Sequence, residues 1–217
     1  MKKYRSLICL TTTLLAFAVA APSFAQDAAA PKPEDKPAPG PDAQMMASMV
    51  ELAKPGENHK MLAEETVGSW TYKVKWWMRP DAPPMESTGT TTTKSVMDGR
   101  YFISEHTGVM SMPGADGKMM DVGFRGMATE GYDNVKKKFV ASWIDNMGTS
   151  ILLMEGTYDP AARTLTYEGE EEPMTGMKFT YRQVVKYDDK DHHSIEFYEV
   201  HGGTDVKTME ISYVRSS

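Results

Sequence analysis

From Gly68 onward the chain alternates in period two through short segments, each ended by turn residues, with no intervening stretch long enough for a helical crossover. Trp70, Tyr72, Val74 and Trp76 alternate with Thr71, Lys73, Lys75 and Trp77, a half-buried strand that stops at Arg79-Pro80-Asp81-Ala82-Pro83-Pro84. Further strands are expected over 87–97 and 100–110, joined at Asp98-Gly99, and over 118–129, 138–146, 150–158, 164–170, 177–187, 193–201 and 206–214. Between them lie turn signals such as Pro113 to Gly117, Tyr132-Asp133-Asn134, Asp159-Pro160 and Gly202-Gly203. Parallel neighbours need long crossovers that this spacing does not supply. The expected fold is all-β, an antiparallel up-and-down barrel of about ten strands. Before Gly68 the period is helical: Met45, Met46, Met49, Val50 and Ala53 share one helix face up to Pro55-Gly56, and a second short helix fits 58–66.

A closed sheet brings its first and last strands together, so Gly68-Ser69-Trp70 and Arg215 are expected to meet, the guanidinium across the indole, as a barrel-closing pair. That arrangement resembles the lipocalin and calycin barrels. Gly99-Arg100-Tyr101, the stretch from Gly126 to Gly131-Tyr132-Asp133, Trp143-x-Asp145 and the ending Met209-Glu210-Ile211-x-Tyr213-x-Arg215 join Gly68-x-Trp70 in a wider set of phrases. Together they resemble the bacterial domain-of-unknown-function family 1579 from His59 to Arg215. The resemblance implies a lipocalin-like domain in an exported protein, and no activity. The longer glycine-rich opening of nitrobindin-type haem barrels is missing after Trp70, which counts against haem.

Lys2, Lys3 and Arg5 precede an uncharged apolar run, and Ser23-Phe24-Ala25 offers small residues for a signal peptidase, so residues 1–25 are expected to be a signal peptide cleaved after Ala25. The run is too short for a membrane-spanning helix, and a periplasmic or secreted location follows. Cys9 is the one cysteine and lies inside that run, leaving the mature chain no disulfide or thiol chemistry. Residues 26–41, rich in Ala, Pro and charge, read as a disordered linker, and 42–217 as one barrel domain with its amino-terminal helix. Losing three cations takes the formal net charge from −6 to −9, which disfavours nucleic acid and anionic membranes as partners.

Glu105, Arg125, Trp143, Asp145, Arg182, Tyr198 and Glu199 are polar or amphipathic residues on strands with apolar neighbours. If alternation turns them inward they can grip a ligand's polar head, an arginine meeting an acidic group, while Trp and Met line an apolar site. His193, Ile195, Phe197, Glu199 and His201 share one strand face, which His106 can join, but the spacing does not define a metal site. His192 and His193 stand at an acidic turn, where exposure is expected. Met110-x-Met112 and Met119-Met120 face each other across a turn; thioethers suit Cu(I), and they equally suit an adaptable apolar lining. No zincin, redox or nucleophile-elbow motif is present and no cofactor is expected, copper and haem staying open. The sequence thus favours a non-enzymatic barrel for a small hydrophobic or amphipathic ligand. The alternatives are an isomerase or hydrolase using lumen carboxylates, a periplasmic copper binder, and an envelope interaction protein.

Overall fold

The computed structural model describes Gly40, residues 42–114 and residues 116–216. The expected signal peptide over 1–25 and, apart from Gly40, the linker over 26–41 lie outside the described residues. Two helices come first, α1 (Ala43–Leu52) and α2 (Glu57–Thr66). Asp42 caps α1 by accepting from the Met45 amide at 2.7 Å. The Gly56 amide donates to His59 Nδ1 at 3.1 Å, so a histidine ring on the first turn satisfies the chain where α2 begins.

Ten strands follow: β1 (Gly68–Trp76), β2 (Met85–Val96), β3 (Tyr101–Pro113), β4 (Met119–Asp133), β5 (Lys138–Asp145), β6 (Leu152–Asp159), β7 (Thr164–Met174), β8 (Met177–Tyr187), β9 (His192–His201) and β10 (Thr204–Arg215). Each pairs antiparallel with its sequence neighbours, and β1 pairs with β10 from Trp70↔Arg215 to Trp76↔Met209. The result is a closed up-and-down barrel, which leaves no sheet edge. Met97, Asp98 and Gly99 turn between β2 and β3 with φ of 51, 57 and 83°, a left-handed run that glycine takes freely and Asp tolerates.

Four of the hairpin turns, β2–β3, β4–β5, β6–β7 and β8–β9, gather at the end where α2 lies. There Leu62 of α2 inserts among Phe102, Phe139, Leu165 and Tyr187, and Leu62, Phe102 and Leu165 are 0% exposed. Burying each such side chain contributes about 2 kcal/mol. Arg163 reaches both carboxylate oxygens of Glu65, at 2.8 and 3.1 Å, pinning α2 to the β6–β7 turn. The helix that covers the barrel is therefore α2. By contrast α1 buries none of its side chains and is held through its carboxyl end, where Asn134 donates to Leu52 O and Lys54 O and Arg100 to Ala53 O.

Candidate functional site

The opposite end is open. A cavity of about 1150 Å³ runs from the α2 plug to a mouth between the loop at 77–80 and the loop at 147–150. That volume exceeds the usual range for small-molecule pockets. All four tryptophans of the chain, Trp70, Trp76, Trp77 and Trp143, line it.

The walls make room for these large rings with glycine. Gly89 pairs with Tyr72 across β1 and β2, and Gly108 is the next partner on β3. A Cβ at Gly89 would come within 2.3 Å of the Tyr72 ring and 2.2 Å of Thr107 O, so the phenol lies against bare backbone and donates to that same carbonyl at 3.1 Å. Trp143 covers Gly126 in the same way, a Cβ there falling 2.4 Å from the indole. Rings pressed to the wall leave the barrel axis empty.

Many of the inward side chains are polar, and several satisfy one another. Thr91 Oγ1 bonds His106 Nδ1 at 2.8 Å, Thr93 bonds Ser104 at 2.8 Å, and Tyr167 donates to Glu130 at 3.1 Å. Burial holds the His106 and His193 imidazoles down at about 4, Arg215 adding its repulsion at His193. Burial pushes the Glu130 carboxyl up, partly offset by the Tyr167 hydrogen bond. His193 lies 4.4 Å from both Trp70 and Tyr213, edge-on to the first and stacked on the second, and its Nδ1 is buried without a partner.

Of the residues singled out in the sequence, the barrel brings Trp143, Asp145 and Glu199 to the lumen. The Trp143 indole donates to Asp145 at 2.8 Å, and Glu199 meets His201 at 3.0 Å. Glu105, Arg125, Arg182 and Tyr198 are one residue out of phase with it. His106, Phe124, Gln183 and Phe197 face inward beside them, so these four take the outer face. Arg182 there pairs with Asp205 and lies 4.7 Å from the Tyr198 ring centroid, while Tyr198 donates to Glu196. Neither Arg125 nor Arg182, the two arginines expected at a ligand's head, faces the lumen. His192 is exposed as expected; His193 is not, because it points inward between Trp70 and Tyr213. Arg215 sits over Trp70 as the closing pair.

Glu130 escaped the sequence reading. It falls in phase with Phe124, Ala128 and Tyr132 on β4, the single carboxylate on a period that only the structure shows to be the inward one. Among the described residues no group of three His, Cys, Asp or Glu is placed to hold a metal ion. Met112 pairs opposite Met120 near the tip of the β3–β4 hairpin, and Met119 and Met120 are more than half exposed. Among the described residues no helix is long and apolar enough to cross a membrane.

A family model described as a protein of unknown function, DUF1579, matches residues 54–215, the whole barrel together with α2. No curated protein matches the chain.

Proposed function

The chain belongs to the DUF1579 family, whose description carries no activity, and we propose from the barrel's interior that it is a non-enzymatic binding protein for a small hydrophobic or amphipathic molecule. One observation carries this reading. A wide chamber, sealed by α2 at one end and open at the other, is lined by every tryptophan the chain has. Folding alone favours filling such a space, since empty volume forfeits packing contacts. Here the glycine slots keep the rings on the wall instead. Apolar faces of Trp, Tyr and Met supply affinity, and hydroxyls such as Thr91 and Thr93 supply polar contacts along the lumen wall. Export to the periplasm or beyond, inferred from the pattern at Lys2 to Ala25, suits a carrier or scavenger of such molecules.

Titrating the protein with small apolar and amphipathic compounds while following tryptophan emission tests the proposal. Saturable change in the parent, weakened in Trp143→Leu, supports it; a flat response across the series removes it.

A second reading has an observation of its own. Glu130 faces the cavity with its carboxyl pushed up by burial, and such a group is suited to give or take a proton. Catalysis would require turnover that Glu130→Gln abolishes while leaving binding in place.

A further inference from the structure

The sign of charge around the lumen narrows the ligand. Five carboxylates line the cavity, Glu130, Asp145, Glu171, Glu172 and Glu199, against two cations, Arg79 and Lys207. Lys207 is already held between Glu196 and Glu210, at 2.9 and 3.1 Å. Among the described residues none of the five carboxylates is paired with a lysine or arginine. Asp145 accepts from the Trp143 indole and the Met147 amide, Glu171 from Ser150, Glu172 from the Gly176 amide, Glu199 faces His201 and Glu130 accepts from Tyr167. These partners orient the carboxylates without a cation beside them; Glu130, its carboxyl pushed up by burial, adds least to the charge, and the other four carry the sign. A concave wall of one sign focuses its field into the space it encloses.

Three of them lie on the mouth side of one wall. Trp143 pairs with Leu152 on β6, Glu171 with Phe179 on β8, and Tyr181 with Glu199 on β9, so β5 to β9 present Asp145, Glu171 and Glu199 together with aromatic rings. Carboxylates on the same wall as Trp, Tyr and Phe rings attract an ammonium through charge, and the ring faces add their quadrupole. An acidic ligand group meets the same wall as repulsion; Arg125 and Arg182 stand on the outer face, and Arg79 belongs to the loop at 77–80 on the other side of the mouth.

Building on the reading of the lumen as a binding chamber, we infer that its ligand is a cation with an apolar body, an aromatic or alkyl amine, whose ammonium rests against the acidic mouth-side wall that carries Asp145, Glu171 and Glu199 and whose body lies against the tryptophans deeper in. The mouth keeps the ammonium partly hydrated, which limits its desolvation cost. Entrance past the exposed methionines Met78 and Met147 gives a pliable apolar rim.

Calorimetric titration with 2-(1-naphthyl)ethylamine, 2-(1-naphthyl)ethanol and 1-naphthylacetate tests this, because the three share one ring system and differ in charge. The amine is expected to bind about tenfold tighter than the alcohol, with the acetate weakest, and only the amine to weaken as salt is raised. In the triple variant Asp145→Asn, Glu171→Gln, Glu199→Gln, the alcohol keeps its affinity, which reports an intact chamber, and the amine's advantage shrinks to about threefold or less. Equal or tighter binding of the alcohol or acetate, or an advantage that survives the triple variant, overturns the cation inference and leaves the chamber standing. Absence of binding by all three overturns the inference together with the chamber reading.

Discussion

The guanidinium of Arg215 lies 4.0 Å from the centre of the Trp70 indole, and the two residues are also backbone partners where β10 meets β1. Trp70 is 2% exposed, and its indole N–H donates to Thr66 O at 2.9 Å, so strand, helix and chain terminus are tied at one point. Arg215 adds bonds to Val67 O at 2.6 Å and Lys190 O at 2.8 Å. Gly68, at φ +133°, makes the approach possible, since a Cβ there would fall 2.6 Å from the guanidinium.

Arg215→Ala removes the stacking contact and several charge-assisted bonds to carbonyls at once. Stability is expected to fall by about 2 kcal/mol, read as a lower urea midpoint with unchanged slope. An unchanged midpoint would show that the pair does not close the barrel.

Acid should loosen the barrel through its inward histidines. Unfolded imidazoles take protons below the ordinary 6.5, whereas His106 and His193 in the fold hold out to about 4. Between those values the unfolded chain binds more protons. The stability they contribute is therefore complete above pH 6.5 and drains as pH falls towards 4, by up to about 1.4 kcal/mol per pH unit for each ring. Urea melts at pH 7 and 5 should differ accordingly, and His193→Phe, which keeps a ring between Trp70 and Tyr213, should narrow the difference.

Glu130 works in the opposite sense. Its carboxyl is raised, so what it contributes is complete below the ordinary carboxylate value of 4.5 and is lost as pH rises through its folded value. Glu130→Gln retains an acceptor for Tyr167 and is expected to stabilise by roughly 1 kcal/mol at pH 8, with no gain at pH 4. Loss of stability at pH 8 would contradict the burial argument.

Two of the wall glycines, Gly89 and Gly126, should respond unequally to alanine. At Gly89 the new Cβ meets backbone, Thr107 O at 2.2 Å, which cannot swing aside. At Gly126 it meets the far edge of the Trp143 ring, which can move inward. Thermal melts are expected to give roughly 1–3 kcal/mol for Gly89→Ala and a smaller loss for Gly126→Ala, the latter with a shifted tryptophan emission.

Strand order and the closing pair were legible because turn residues and period-two alternation are local signals, and because closure forces first and last strands together. Which face pointed inward was not. The lumen carries Thr91, Thr93, Ser104 and Gln183, all buried, while Leu153 and Met127 stand exposed outside, so hydropathy does not mark the phase. That is why the sequence leaves Arg125 and Arg182 open as lumen candidates and does not single out Glu130. His193 misled for a related reason: an acidic turn precedes it, but its own alternation aims it at Trp70.

Native mass spectrometry of the protein purified from its own host most directly tests whether the lumen is a binding chamber. A retained small molecule, seen as discrete added mass under gentle ionisation and lost on denaturation, is the expected result, with that mass weakened or absent in Trp143→Leu. A parent that carries only its own mass, and gains none when offered the naphthyl amine, alcohol or acetate, would contradict it.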